Sequence, residues 1–253
     1  MVHIVGAGPG AADLITLRGA NLLKAADVVI YAGSLVNPEL LEMTREGCQI
    51  YDSAKMTLEE VLTVIEKAQA EGLDLVRLHT GDPCLYGAIR EQMDAMDARG
   101  IAYEVCPGVS SFCGAAAALN MEYTLPGISQ SVIITRMAGR TPVPERESIR
   151  SFAAHGASMV IFLSTGMLEA LQAELQAGGY APDTPTALVY KATWKNEKKL
   201  VCRLEELAAC AAREQITKTA LVIVGESVAQ TGYDRSLLYH PEFTTEFREG
   251  VKG

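Results

Sequence analysis

The chain has 253 residues, of which 49% are apolar and 21% are charged, and its formal net charge is −9. This length suits one or two globular domains with a large core. The negative charge argues against non-specific nucleic-acid binding, which needs a basic surface. Neither a charged-then-apolar leader nor a membrane-length apolar run is visible, so we expect a cytoplasmic protein without nucleic-acid or membrane partners.

The cysteine and histidine spacings give no sign of a metal site. Six cysteines are scattered without a C-x-x-C pair, and the four histidines lack H-x-x-H spacing. Scattered cysteines of this kind are typical of free, buried thiols in a reducing compartment. We therefore predict neither a disulfide framework nor a bound metal.

In the first half of the chain, short apolar runs alternate with helical patterns. Helices are predicted from Thr16, from Asn37 and from a capping box at Thr57, and two more end near residues 99 and 120. Five strands separated by helices predict a parallel sheet covered on both faces. The predicted strands are residues 2–5, 28–31, 48–51, 73–78 and 102–106.

The alternation of apolar runs and helical patterns is interrupted at residues 121–130, and a second series of strands and helices follows. Its helices are predicted at 145–155, 167–177 and 204–213, and its strands at 131–136, 158–163, 186–190, 199–201 and 221–224. The third and fourth of these strands are too close along the chain for a crossover, so we expect them to be antiparallel.

The predicted fold class is α/β, with two domains and a ligand cleft between them. The N-terminal domain spans 1–120 and has a mainly parallel sheet, and 121–130 is the linker. The C-terminal domain spans 131–232 and has a mixed sheet, and 233–253 form a C-terminal tail.

The glycine-rich stretch 6–11 follows the first strand and satisfies the dinucleotide pattern G-x-G-x-x-G/A. A dinucleotide site needs a helix that begins at the second glycine, and an acid at the end of the second strand. Here Pro9 lacks an amide proton, the first N-cap is Thr16, and Asp27 precedes its strand. These departures argue against a nicotinamide cofactor and leave a glycine loop for another ligand.

Two further loops fall at carboxyl ends of predicted parallel strands, where open α/β sheets bind ligands. T-G-D-P follows the fourth strand and P-G-V-S-S the fifth. Gly81 and Gly108 allow close backbone approach, Asp82 accepts hydrogen bonds, and Ser110 and Ser111 can bind a carboxylate or cap a helix. Each is also an ordinary turn residue, but three such loops at one edge favour a site.

These motifs, with the two α/β domains, resemble the tetrapyrrole methyltransferases, which are S-adenosylmethionine-dependent enzymes of sirohaem and cobalamin synthesis. The resemblance covers nearly the whole chain. Long stretches such as YAGSLVNPELL and HTGDPCLYGAIREQM are similar to members that methylate carbon 11 of precorrin-4 or cobalt-precorrin-4. The resemblance implies a small tetrapyrrole substrate, S-adenosylmethionine as methyl donor, and a homodimer.

The resemblance also implies which residues bind the cofactor. Thr80 stands where the family has glycine, and Ser164 where other members often have methionine. The implied cofactor-binding residues are Pro9, Thr80, Gly81, Asp82, Leu85, Ser110, Ser111, Ser164, Ala192 and Ala220.

A substrate of this class is fringed with carboxylates, which arginine binds well. Arg136 and Arg140 follow a predicted strand end and are the expected substrate-binding residues. No catalytic residue is assigned, because methyl transfer from a sulfonium is a direct displacement that needs mainly alignment and exclusion of water.

Other functions stay open at this point. One is a uroporphyrinogen-III methyltransferase, or a relative that modifies RNA or a protein, although the acidic charge argues against RNA. A different class is a non-catalytic nucleotide-binding module. The sequence does not decide whether the substrate carries cobalt.

Overall fold

The computed structural model describes residues 1–251, which divide by their contacts into two units. The first unit comprises Met1–Ala115 with Lys191–Glu197, and the second comprises Ala116–Tyr190 and the chain from Lys198 on. The domain boundaries predicted above, which put 191–197 in the C-terminal domain, stay a prediction. The last two residues of the predicted tail, 252 and 253, lie outside the described residues.

The first unit is built on a five-stranded sheet in which every pairing is parallel, with strand order β3-β2-β4-β1-β5. The parallel sheet predicted for the N-terminal half is confirmed. The strands are β1 (Val2–Gly6), β2 (Val28–Tyr31), β3 (Gln49–Asp52), β4 (Leu75–His79) and β5 (Tyr103–Cys106).

Two helices of this half begin at caps that the sequence predicts. Thr16 accepts a hydrogen bond from Gly19 and starts α1 (Leu17–Ala25), and Thr57 forms a full capping box at α2 (Leu58–Ala70). Asn37 caps only a short 3₁₀ helix, Pro38–Met43. The remaining helices are α3 (Arg90–Asp97) and α4 (Ser111–Leu119).

The second unit contains a mixed sheet of order β6-β7-β10-β8-β9, as predicted. The β6–β7 pair is parallel and the other pairs are antiparallel. The strands are β6 (Val132–Arg136), β7 (Ser158–Phe162), β8 (Pro185–Tyr190), β9 (Lys198–Arg203) and β10 (Ala220–Val224). The helices are α5 (Ile149–Ala153), α6 (Leu168–Ala177) and α7 (Leu207–Arg213).

The helix predicted over 145–155 is interrupted. A 3₁₀ turn at Glu145–Glu147 ends at Ser148, whose backbone is extended and whose side chain accepts a hydrogen bond from Ser151 to start α5. A serine that competes for backbone hydrogen bonds favours such a cap over a helix interior.

Each sheet anchors a hydrophobic core. The faces of the first sheet belong to two clusters, one around Ile4, Ile30 and Ile65 and one around Val5, Val29 and Leu78. Cores on both faces explain why its central strands are mainly apolar. The second sheet has a core around Met159, Leu171 and Leu188. Among the described residues, no helix is both long and apolar enough to cross a membrane.

All six cysteines are free. Cys106 and Cys210 are buried, as predicted, but Cys84 and Cys113 are exposed. The prediction of burial is wrong for these two because they lie in the β4–α3 loop and on an exposed side of α4, which no periodicity marks as outside.

Candidate functional site

The loops after β1 and β4 join through their backbones at the carboxyl edge of the first sheet. The amide of Ala7 donates to the carbonyl of His79 at 2.7 Å. Gly8 and Gly81 exchange two backbone hydrogen bonds, of 3.2 and 2.9 Å. Both glycines have positive φ, which costs them little because they have no Cβ. The loops predicted to form one rim therefore do so on these two strands.

The loop after β5 packs against the same joint through glycines. A Cβ added to Gly6 would lie 2.5 Å from the Cα of Gly108 and 2.6 Å from the carbonyl oxygen of Gly81. A Cβ on Gly108 would overlap that same carbonyl oxygen and lie 2.7 Å from the Cα of Gly6. The three loops therefore touch backbone to backbone, which only glycine permits.

Asp82 connects two of these loops through its carboxylate. One oxygen accepts from the Cys84 amide at 2.8 Å, and the other accepts from the Gly108 amide at 2.9 Å. Partial burial alone would raise the pKa of Asp82, but the hydrogen bonds from Cys84 and Gly108 outweigh it, so the pKa lies below its ordinary value. The ionised carboxylate thus holds the β4 and β5 loops together at neutral pH.

Pro9 and the start of α4 form the inner side of the rim. Pro9 is buried, and a Cβ on Gly114 would lie only 2.7 Å from the Pro9 Cβ. Ser110 is buried just before α4, and Ser111 is its first residue. Pro9 therefore supports the first loop from the helix side, and its predicted contact with a ligand stays a prediction.

The segment Lys191–Glu197, between β8 and β9, belongs to the first unit and contributes residues that the sequence analysis did not single out. Thr193 accepts a hydrogen bond from the amide of Ala11 at 2.9 Å. The Trp194 indole lies against Gly10 so closely that an added Cβ would overlap it. These contacts hold the loop after β1 in place beside Ala192, a predicted cofactor-binding residue that is buried.

Two more side chains fix this region. Asn37 donates to the carbonyl of Gly10 at 2.9 Å, and Lys195 forms an ion pair with Glu39. The sequence predicts a helix start at Asn37, and this accounts for the role of Asn37 as an N-cap. It does not predict the hydrogen bond from Asn37 to the loop after β1.

The remaining predicted cofactor residues of the β4 loop differ in exposure. Thr80 is exposed, and its hydroxyl donates to the carbonyl of Leu35 at 2.7 Å. Leu85 is half-buried in the turn that follows Asp82. Thr80, which stands where the resemblance implies a glycine, thus adds a hydrogen bond. The residue with positive φ in this turn is Gly81.

Beneath the rim lies a buried basic pair on β4. Arg77 donates from Nε to Gln92 Oε1 and from Nη1 to the Ile30 carbonyl, both at 3.1 Å. Burial lowers the pKa of Arg77 to about 10, so it stays charged at neutral pH. His79 is 4% exposed, and its Nε2 has no hydrogen-bond partner among the described residues. Burial, with a smaller contribution from Arg77, lowers the pKa of His79 to about 3.

In the second unit, Ser164 and Ala220 are both buried. The Ser164 hydroxyl accepts from the Met137 amide at 3.0 Å and donates to the Phe162 carbonyl at 2.7 Å. The carbonyl of Ala220 accepts from Thr165 at 2.9 Å. The side chain of Ser164 is thus engaged in its own turn.

Of the two predicted substrate arginines, Arg136 is the last residue of β6 and Arg140 lies in the loop that follows. Arg136 donates to the carbonyls of Met137, Thr141 and Pro142 at 2.9–3.2 Å, so its guanidinium orders this loop. Arg140 is exposed on the same loop. Of the two, Arg140 has the guanidinium better placed to bind an external carboxylate.

Strained backbone conformations lie beside the predicted site residues. Within residues 1–251, nine non-glycine residues have positive φ, which is uncommon and concentrates at functional sites. Those adjacent to Leu85, Ser164, Ala192 and Ala220 are Tyr86, Leu163, Lys191, Thr193 and Thr219.

Comparisons with known proteins agree with this architecture. A model of the tetrapyrrole (corrin/porphyrin) methylases matches residues 1–208. The chain therefore belongs to the tetrapyrrole methylase family, and the predicted resemblance is confirmed.

Individual relatives indicate which members of the family the chain is similar to. The chain is 49% identical to the cobalt-precorrin-4 C(11)-methyltransferase of Methanocaldococcus jannaschii over 99% of this chain and 97% of that one. It is 43% identical to the precorrin-4 C(11)-methyltransferase of a Sinorhizobium species over 98% of each chain.

Solved structures show the same fold. The structure of a cobalt precorrin-4 methyltransferase, a cobalamin biosynthetic enzyme, superposes with a TM-score of 0.88 at 41% identity, over 90% of this chain and 95% of that one. A uroporphyrin-III C-methyltransferase from Thermus thermophilus, complexed with S-adenosylhomocysteine, superposes with a TM-score of 0.76 at 29% identity, over 91% of this chain and 99% of that one.

Proposed function

We propose that this protein transfers a methyl group from S-adenosylmethionine to carbon 11 of cobalt-precorrin-4 or of metal-free precorrin-4. The observation that carries the proposal is near-full-length identity of 49% and 43% to proteins named for these two reactions. Uroporphyrin-III methyltransferase is less similar, at 29% identity. We also propose a homodimer working in the cytoplasm.

The rim of the first sheet has the chemistry that this cofactor needs. It presents glycine-loop backbone groups, two serines at the start of α4 and the Asp82 carboxylate. None of the predicted cofactor residues is cationic, which suits a positively charged sulfonium. Pro9, Gly81, Asp82, Ser110, Ser111 and Ala192 would hold the cofactor from the first unit.

The bound cofactor would supply an electrophilic methyl group. The contribution of the protein is to orient the two reactants and exclude water, which accounts for the absence of an assigned acid or base. Asp82, Thr193 and Trp194 act by holding the loops in one arrangement, and Arg140 would bind a carboxylate of the substrate.

The function is tested by calorimetry and a methyl-transfer assay. We expect S-adenosylhomocysteine to bind and NADH and ATP not to bind. Labelled methyl groups should pass to cobalt-precorrin-4 or precorrin-4 in preference to uroporphyrinogen III. Binding of NADH without S-adenosylhomocysteine, or methylation of uroporphyrinogen III alone, would contradict the proposal.

Asp82→Ala is expected to weaken S-adenosylhomocysteine binding about 10-fold, because it removes the charge-assisted hydrogen bond to Gly108 that joins the β4 and β5 loops, and the one to Cys84 that fixes the β4 turn. Isothermal calorimetry measures the change. Asp52→Ala is the matched control, since Asp52 accepts from the Ala54 amide at 3.0 Å in a similar turn at the edge strand. Equal affinities in the two variants would refute the joining role of Asp82.

Arg140→Ala is expected to raise the KM for the tetrapyrrole about 10-fold and to leave S-adenosylhomocysteine binding unchanged, because a single carboxylate contact is lost. Steady-state kinetics and calorimetry measure the two quantities. Arg150→Ala removes an equal charge from α5, where Arg150 pairs with Glu174 at 2.9 Å, and should leave KM as it is. An unchanged KM in the Arg140 variant would exclude its role.

A further inference from the structure

Leu163, at the end of β7, combines two unfavourable features. The residue is 65% exposed, and its φ is 53°. In the left-handed region the Cβ of an L-residue crowds its own backbone, so a bulky non-glycine residue there is strained. Nor does the exposed leucine gain the stabilisation that burial would bring. Neither local propensity nor core packing accounts for this residue.

The structure around Leu163 holds it in this conformation. Ser164 is fully buried, and its hydroxyl bonds the carbonyl of Phe162 at 2.7 Å and the amide of Met137 at 3.0 Å. The carbonyl of Ser164 accepts from the amide of Met167 at 2.9 Å. Hydrogen bonds on both sides of Leu163 therefore fix the turn, as expected where strain serves a function.

The turn lies next to the loop of the predicted substrate arginines. β6 and β7 are parallel, with Arg136 in register with Phe162, so both chains leave the sheet at the same edge. The hydrogen bond from Met137 to Ser164 joins the two segments. An exposed apolar side chain thus neighbours a loop that carries the exposed Arg140. An apolar surface beside a cation is complementary to an apolar macrocycle fringed with carboxylates.

We propose that Leu163 is a substrate-contacting residue whose side chain packs on the apolar face of the tetrapyrrole, beside the arginine loop that binds its carboxylates. This inference rests on the proposed function. It reassigns Ser164 as a positioning residue, which keeps Leu163 exposed.

Leu163→Gly separates function from folding, because the two effects have opposite signs. Glycine accepts positive φ without strain, so the variant should unfold at a temperature about 2 °C higher than the wild type. The lost apolar contact should raise the KM for the tetrapyrrole about 10-fold. The Kd for S-adenosylhomocysteine should stay at the wild-type value. Leu163→Met should keep a KM near that of the wild type.

Gln215→Gly is the matched control, since Gln215 is exposed after α7 with a φ of 57°. It should show the same gain in unfolding temperature without a change in KM. A wild-type KM in Leu163→Gly would overturn the inference, and so would a Kd for S-adenosylhomocysteine that rises in step with KM. If the wild-type protein methylates no precorrin-4, the proposed function itself fails, before any variant is compared.

Discussion

Gly108→Ala is expected to lower the free energy of unfolding by about 3 kcal/mol and methyl transfer by about 100-fold. The added methyl group would overlap the carbonyl oxygen of Gly81 and lie 2.7 Å from the Cα of Gly6. Both obstacles are backbone, so no side chain can rotate away. The loops after β1, β4 and β5 must separate, and the Asp82 bond to the Gly108 amide is strained with them.

Urea denaturation, thermal unfolding and single-turnover kinetics measure these effects. For a chain of this size, 3 kcal/mol corresponds to an unfolding temperature lower by about 9 °C. Gly166→Ala is the stability control, because Gly166 has an ordinary φ and an added Cβ would meet only the Thr217 carbonyl oxygen, at 4.0 Å. If the Gly108 variant is as stable as the Gly166 variant, the three loops can separate without loss of stability, and the prediction is wrong.

The second large effect is a loss of stability in mild acid caused by His79. This residue is 4% exposed, and its imidazole has a pKa of about 3 in the folded chain, against 6.5 when unfolded. Because the unfolded chain takes up the proton first, acidification favours unfolding as the pH falls through 6.5 towards 3. Between pH 7 and pH 5, this one residue should cost about 2 kcal/mol of unfolding free energy.

The measurement is the difference in unfolding free energy between pH 7 and pH 5. His79→Leu removes the titrating group, so this difference should be smaller than in the wild type by about 2 kcal/mol. His155→Leu removes an exposed imidazole and controls for the loss of one histidine. Identical pH differences in wild type and His79→Leu would refute the role of His79.

Most of the fold was predictable because its signals are local. Apolar runs marked the strands, and side-chain caps at Thr16 and Thr57 marked helix starts, which require only neighbouring residues. Where the local pattern was ambiguous, the prediction was less accurate. Ser148 reads as an ordinary helical position in the sequence, yet its extended backbone divides the helix predicted over 145–155.

The site was predictable only as a set of loops. Parallel strands carry their carboxyl ends to one edge, so T-G-D-P and P-G-V-S-S were expected to lie together. The hydrogen-bond partners of the loop residues were not predictable, because they are far apart along the chain. Asp82 bonds Gly108, and Ala11 bonds Thr193. No local pattern contains such pairs.

The sequence by itself determined the α/β class, the order of strands and helices and, through its motifs, the family. It did so because periodicity, capping and turn chemistry act over a few residues. Only the tertiary structure decided that Gly108 must be glycine, that His79 is buried without a partner for Nε2 among the described residues, and that Leu163 is exposed and strained. Each of these depends on which distant backbone lies within a few ångströms, and that is set by packing.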